Sequence, residues 1–338
     1  MRWTTRISWL AATGRTVVAA VTVAAASGSA FGASGGTAGA GSLNLGVGAR
    51  SMGMGGTGTA GLNEPSGVWI NPALVDRIGG AGVSFMHGSW IESVALDQFS
   101  VAYPAPLGTV GVGLATLRVG EVKTFDSLGY QTGVISPNDL MVTGAWALPV
   151  MKSSGLGLTV GGGVTWLKSE LMAGAEASTA SGGLGACVSP VRDLSFAVSV
   201  MHMGPGLKYD RKAASLPATV RAGGNYRFLK GNAAVALDVV KAVGDDLSVR
   251  GGGEYTVAAG PDVSLSPRVG YKTGGPQGSL SGLSVGAGIS WRPPAASLGE
   301  GSQPESTIFT LNVFRVDYAW TPMGELGSAH WFTFILLF

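Results

Sequence analysis

Ser328-Ala329-His330-Trp331-Phe332-Thr333-Phe334-Ile335-Leu336-Leu337-Phe338 closes the chain. Counted back in twos from Phe338, one face carries Leu336, Phe334, Phe332 and His330. The other carries Leu337, Ile335, Thr333 and Trp331. A period of two is the mark of a strand, and here both faces are largely apolar. Chain ends in water normally fray. A strand that closes a membrane barrel has a reason to end this way, because its outer face meets lipid and both of its edges are paired. The competing reading is a buried edge strand of a soluble sandwich, and the remainder of the chain separates the two.

The same period recurs from Gly82 onward. Val83 and Phe85 are followed by Phe99, Val101 and Tyr103, and then by Val110, Val112 and Leu114 with Gly111, Gly113 and Ala115 opposite. Leu140, Val142, Trp146 and Leu148 form another series. Leu156, Leu158, Val160, Val164 and Trp166 alternate with Gly157, Thr159, Gly161, Gly163 and Thr165. Further alternating segments lie near 176–188, 194–202, 216–228, 232–241, 247–257, 262–272, 282–292, 307–320 and 328–338. Together they predict 14 strands, each with one apolar face. Aromatic residues fall near strand ends on that face: Tyr103, Trp146, Trp166, Tyr226, Phe228, Tyr271, Trp291, Tyr318 and Trp320. Rings at that position fit two interfacial girdles. The opposite face holds Gly, Ala, Ser and Thr, with Arg221, Asn225, Arg227, Arg250, Glu254, Arg268, Lys272, Arg292, Arg315 and Asp317 pointing toward a lumen.

Connections alternate in length. Ala105–Gly108, Lys152–Ser154, Pro190–Asp193, Lys230-Gly231 and Gly260-Pro261 read as tight turns, whereas 119–138 and 203–215 are long. Short periplasmic turns and longer outer loops are the expected asymmetry of such a barrel. The link from Pro293-Pro294 to Ser306 breaks the rule. It is long, rich in Pro, Ser and Gly, and falls on the short-turn side.

Composition agrees with this class. Of 338 residues only 12% are charged and 56 are glycine, against about 25% charged in an ordinary soluble domain. Glycine at that frequency opposes an all-helical fold, and mean hydropathy of +0.32 opposes disorder. No run of 18 apolar residues follows the N-terminus, as a helical membrane protein would need. Residues 1–32 read as a secretory signal. Arg2, Arg6 and Arg15 precede a short apolar core at Val17–Ala26, and the small residues of Ala30-Phe31-Gly32 suit cleavage before Ala33, with Ala30 an alternative end. With neither twin arginines nor a cysteine at that point, the expectation is the Sec route rather than Tat or lipoprotein export. Without this segment, 19 basic residues face 20 acidic ones, a formal charge of −1 that offers nothing to nucleic acid.

Residues 33–80 separate the signal from a barrel over 81–338. They open on a small, Gly-rich lead-in. Gly48-Ala49-Arg50-Ser51-Met52-Gly53-Met54-Gly55-Gly56 comes next, and Trp69-Ile70-Asn71-Pro72-Ala73-Leu74 follows. Asn71 is a good helix N-cap and Pro72 a good first helical residue, which predicts a short helix from Asn71 to Ile78. These two motifs, with the barrel and the terminal Phe338, resemble the PorV/PorQ family and, more distantly, the FadL family. Leu74 stands where a glycine is usual, and the usual acid-rich turn is reduced to Asn63-Glu64-Pro65.

The resemblance implies an N-terminal plug, or hatch, inside the barrel. Arg50, Gly53, Gly55, Gly56, Asn71 and Pro72 are the motif positions that hold it. The terminal segment is similar to the C-terminal signature of bacterial outer-membrane barrels, which implies that Phe334, Leu336 and Phe338 are read by the barrel-assembly machinery. It also implies two alternative functions. One is a part in type IX secretion, receiving cargo sorting domains and passing cargo to a surface attachment complex. The other is FadL-like passage of hydrophobic small molecules through a plugged lumen and a lateral wall opening. An apolar pocket beneath the plug, continuous with a kinked strand, would favour the second.

No catalytic constellation emerges, and the reading is a protein that is not an enzyme, with no cofactor and no metal. Gly53–Gly58 satisfies G-x-G-x-x-G, but it lacks the preceding strand and following helix of a dinucleotide site. Gly282–Gly286 satisfies G-x-S-x-G within an alternating strand rather than at a strand-to-helix elbow. His87 and His202 are expected at solvated outer strand ends, and Cys187 is expected to pack as a small residue in wall or lumen.

Overall fold

The computed structural model describes residues 39–90, 93–153, 156–172, 174–211, 213–274, 282–293 and 311–338. The expected signal at 1–32, and most of the 293–306 link, lie outside these residues. Fourteen strands form the wall: β1 Gly82–Ser89, β2 Ala95–Ala105, β3 Gly108–Arg118, β4 Asn138–Lys152, β5 Gly157–Met172, β6 Ala175–Val191 and β7 Leu194–Met203. They continue as β8 Thr219–Phe228, β9 Ala233–Ala242, β10 Ser248–Tyr255, β11 Val263–Lys272, β12 Leu283–Trp291, β13 Val313–Pro322 and β14 Ser328–Leu337. Each is antiparallel to its neighbours in sequence. β14 then pairs with β1, from Gly82↔Leu337 to Ser89↔His330, so the sheet closes and no edge remains.

Alternation decides which way each side chain points. In β3, Val110, Val112 and Leu114 are exposed to the surroundings of the barrel, whereas Gly111, Gly113 and Ala115 face inward. In β14, Phe332 and Phe334 point out while Trp331, Thr333 and Ile335 are buried inside. Around the wall the outward set continues through Val142, Val164, Leu184, Leu237, Val269 and Ile289. This is a closed transmembrane β-barrel with a lipid-facing belt. Tyr103, Trp146, Tyr226, Phe228 and Trp291 stand exposed near the short-turn edge, and Tyr271 near the other. Trp146 donates its indole N–H to the Leu107 carbonyl at 2.9 Å, a polar tip satisfied at the interface.

The edge with long connections is the outer one. The β3–β4 connection carries a ribbon of Val122–Phe125 against Gln131–Ile135, and the β7–β8 connection a smaller one of Leu207-Lys208 against Ala213-Ala214. Three particulars differ from the sequence reading. β4 to β6 run 15, 16 and 17 residues, beyond the about 9–11 that cross a bilayer. Their pairing continues past the membrane because β5 is matched on both sides by β4 and β6, whereas the flanking β3 and β7 have 11 and 10 residues. Arg292 is not in the lumen; it lies just past β12 and is exposed. The short helix expected from Asn71 to Ile78 is present as a 3₁₀ helix over Pro72–Ile78, capped by Asn71, which accepts from the Ala73 amide at 3.0 Å.

His202, expected in solvent, is buried in β7. The reason is a bulge. β6 pairs Gly182↔Met203 but Leu184↔Val200, a one-residue slip, and His202 takes a positive φ of 61°. Met201 and His202 therefore both turn inward before Met203 turns out.

Candidate functional site

The lumen is filled by residues 39–80. A turn of α-helix at Ala49–Gly53 and 3₁₀ turns at Gly41–Asn44, Pro65–Trp69 and Pro72–Ile78 make up its regular parts. Leu62, Val68, Ile70, Leu74 and Val75 are buried against inward residues of the wall such as Met86, Leu96, Met141 and Leu167. The barrel's core is thus a hatch packed in a sleeve. Small wall residues make room for it. A side chain on Gly252 or Gly270 would overlap the backbone of Met54 or Gly55, so β10 and β11 meet the hatch main chain directly. Gly55 and Gly56, at φ 76° and 77°, supply the left-handed turn that brings it there.

Polar contacts fix the hatch at several heights. The Asp238 Oδ2 atom accepts from the Gly58 amide at 2.8 Å, the Thr59 amide at 2.9 Å and the Thr59 hydroxyl at 2.7 Å. Gly55 donates its amide to Ser284 Oγ at 2.9 Å, which gives the serine of the G-x-S-x-G match a structural partner. Ala49 donates to Thr333 Oγ1 at 2.7 Å, and Ser199 Oγ donates to the Ile70 carbonyl at 2.9 Å. Asn71 Nδ2 reaches the carbonyls of Thr59, Ala186 and Val198 at 3.3–3.5 Å. The last turn of the 3₁₀ helix that follows carries Arg77, whose Nη1 lies 3.2 Å from Cys187 Sγ and 3.1 Å from Ser189 Oγ. Cys187 is the buried small residue that was expected.

Six charges form a chain that begins and ends on the hatch. Arg50 donates from Nε and Nη2 to Glu254 at 3.0 and 2.9 Å, and from Nη1 to Asn63 Oδ1 at 3.1 Å. Glu254 also accepts from Arg268 Nε at 2.5 Å, and Arg268 Nη1 donates to Asp317 Oδ1 at 2.7 Å. Asp317 accepts from Arg315 Nε at 2.8 Å, and Arg315 Nη2 pairs with Glu64, whose other oxygen accepts from Ser66 Oγ at 2.7 Å. Three cations meet three anions, so the buried set is neutral. Every carboxylate serves more than one donor, which is what makes a buried ionic network tolerable. Burial opposes the charge on Arg50, but Glu254, Glu64 and Asp317 together outweigh it and hold the guanidinium above its ordinary value.

The motif residues Arg50, Gly53, Gly55, Gly56, Asn71 and Pro72 all lie where the hatch meets the wall. Gly53 abuts Gly286, and Asn71 and Pro72 sit against Gly185. Phe334 faces outward on β14, Leu336 is half-buried, and the Phe338 amide donates to the Ala81 carbonyl at 2.9 Å. Asp238 carries no signal in the sequence, because a single acid in an alternating apolar segment looks like an error in the pattern rather than an acceptor for two amides.

Packing between hatch and wall is tight. Near Met54, Leu62 and Ala236 the free space is about 10 Å³, room for no more than one water. On the outer side the hatch is topped by a polar vestibule of about 370 Å³, lined by Asn44, Arg221, Arg250, Lys272 and the β9–β10 loop. Where hydrophobic passage called for a kinked strand, β7 carries a bulge at His202.

A closed 14-strand barrel with a hatch in its lumen is the class of protein this architecture defines. No protein-family profile and no curated protein sequence matches the chain. Solved structures do match in fold. The toluene transporter TbuX of Ralstonia pickettii is 15% identical with a TM-score of 0.55, over 86% of this chain and 97% of that one. The toluene transporter TodX of Pseudomonas putida is 12% identical with a TM-score of 0.54, over 86% and 97%. A FadL homologue of Pseudomonas aeruginosa is 10% identical with a TM-score of 0.51, again over 86% and 97%. The chain therefore has the FadL-type barrel fold.

Proposed function

We propose that this is a non-enzymatic barrel of a Gram-negative outer membrane that passes hydrophobic small molecules. The observation carrying this reading is the seat of the hatch tip. Asn71 to Ala73 lie against Gly161 and Gly185, on a wall where Gly161, Gly162 and Gly163 in β5 run beside Gly182, Gly183 and Gly185 in β6. The β6–β7 ladder slips at the same place. A hatch movement of a few ångströms there would bare a glycine-rich stretch of wall, from which Val164 and Leu184 project toward lipid, the exit an apolar solute prefers. The transporter likenesses support this reading at the level of fold. The test is uptake of labelled toluene and of a long-chain fatty acid by a deletion strain, with and without the gene restored. Slower uptake in the deletion strain is expected, and equal uptake of both compounds overturns the reading.

The PorV/PorQ resemblance supports a second reading, a part in type IX secretion with sorting domains of cargo as partners. The observation that favours it is the outer ribbon, which holds Phe125, Leu128 and Tyr130 exposed beyond the wall. Apolar side chains there offer a protein partner a surface that lipid cannot cover. Loss of sorting-domain proteins from the surface of the deletion strain, with their accumulation in the periplasm, is the expected result. An unchanged surface proteome removes this reading. Under either function, Arg50, Gly53, Gly55, Gly56, Asn71 and Pro72 act as the hatch latch, and Phe334, Leu336 and Phe338 as the segment read by the barrel-assembly machinery.

A further inference from the structure

The barrel treats its lumen charges in two ways. In the chain from Arg50 to Glu64 every guanidinium meets a carboxylate. Nearer the outer mouth the pattern fails. Asp238, Arg250 and Lys272 share one rung across β9, β10 and β11, and Arg221 projects inward from the outer end of β8. All three cations line the outer vestibule. Arg221 is only 7% exposed, and no hydrogen bond or ion pair to its guanidinium is found among the described residues. Arg250 donates from Nη1 to the Gly56 carbonyl at 3.2 Å, while its buried Nε has no partner. The Lys272 ammonium forms no ion pair among the described residues.

The acids close by form no ion pair with these cations among the described residues. Asp238 spends one oxygen on the hatch amides and hydroxyl, and its other oxygen has no partner. Asp245 and Asp246 line the same vestibule from its exposed rim, where solvent weakens their hold on the cations without abolishing it. Three cations crowded into a bounded space repel one another and lose hydration. An arrangement of that kind is maintained where an anion completes it. Two guanidinium forks and an ammonium converging on one cavity match the oxygens of a phosphate group. The walls are β8 to β11, so access is from the outer solution and not sideways from the bilayer.

We propose that the outer vestibule is a binding site for a soluble, polar phosphate-bearing anion, held by Arg221, Arg250 and Lys272 above the hatch. This stands apart from hydrophobic passage, since the vestibule wall is polar and the glycine stretch lies across the barrel on β5 and β6. The test uses the full chain purified in detergent, titrated calorimetrically with inorganic phosphate and with pyrophosphate. Saturable 1:1 binding is expected, tighter for pyrophosphate. Lys272→Gln and Arg221→Gln should each weaken it tenfold or more. Asp245→Asn with Asp246→Asn, both on an exposed loop, should strengthen it several-fold, so the idea does not depend on a buried variant folding. Absence of binding at millimolar phosphate, or affinities unaltered in all these variants, overturns the proposal. So does binding seen only in nanodiscs of anionic lipid, which would assign the cations to headgroups.

Discussion

The Arg50 guanidinium and the Glu254 carboxylate face each other as a two-pronged fork, Nε to Oε2 at 3.0 Å and Nη2 to Oε1 at 2.9 Å. One partner belongs to the hatch and the other to β10, so this single pair ties a lumen segment to the wall. Removing one partner of a buried pair costs about 3–5 kcal/mol because the other charge is stranded. Arg50→Ala is expected to lower the unfolding midpoint in denaturant and to expose the hatch to protease before the wall unfolds. A protein whose hatch stays as resistant as the parent's would show that the fork is not what holds it.

Gly270→Val places a side chain where the backbone of Met54 and Gly55 now lies. Strand pairing survives such a change, but the hatch cannot reseat. Larger single-channel conductance in planar bilayers is expected. Gly144→Ala, which meets nothing within 4 Å, is the matched control and should leave conductance unchanged.

Leu237 lies in the middle of β9 and is 58% exposed toward the membrane. Leu237→Arg is expected to destabilise the barrel by about 2–4 kcal/mol in lipid vesicles, the depth-dependent cost of a charge at the bilayer midplane. Leu247, equally exposed but on the β9–β10 loop, should tolerate the same change within about 0.5 kcal/mol. Similar losses at the two positions would contradict the assignment of the belt.

Deleting Phe338 separates recognition from structure. If the assembly machinery reads this residue, the folded, heat-modifiable band in cell membranes should fall several-fold, while refolding of the purified chain in detergent proceeds as before. Equal losses in both assays would instead assign Phe338 a purely structural part, through its bond to Ala81.

Much of the wall was legible because a half-lipid, half-lumen strand must alternate. The fourteen strands follow from that period, and the turns from their Gly, Pro and Asp residues. Asn71 and Pro72 announced a helix start by cap chemistry alone. What alternation cannot encode is depth and partnership. Arg292 shares the parity of a lumen residue yet stands past the end of its strand. His202 looked solvated because a bulge, which shifts parity by one, leaves no local mark beyond a residue willing to take positive φ. The charge chain was visible only as scattered Arg, Glu and Asp. Its order depends on the stagger between strands, which long-range closure sets.

The charge chain also bears on the order of assembly. Arg50 finds Glu254 204 positions later, and Glu64 finds Arg315 251 positions later. Contacts of such sequence separation form late, since the intervening chain must first be brought home. The lumen segment leaves the ribosome before any wall strand, yet its ionic partners exist only once β13 is in place. The hatch, made before the wall, is therefore expected to dock after it, and until then Glu254 and Arg315 face the bore without their hatch partners.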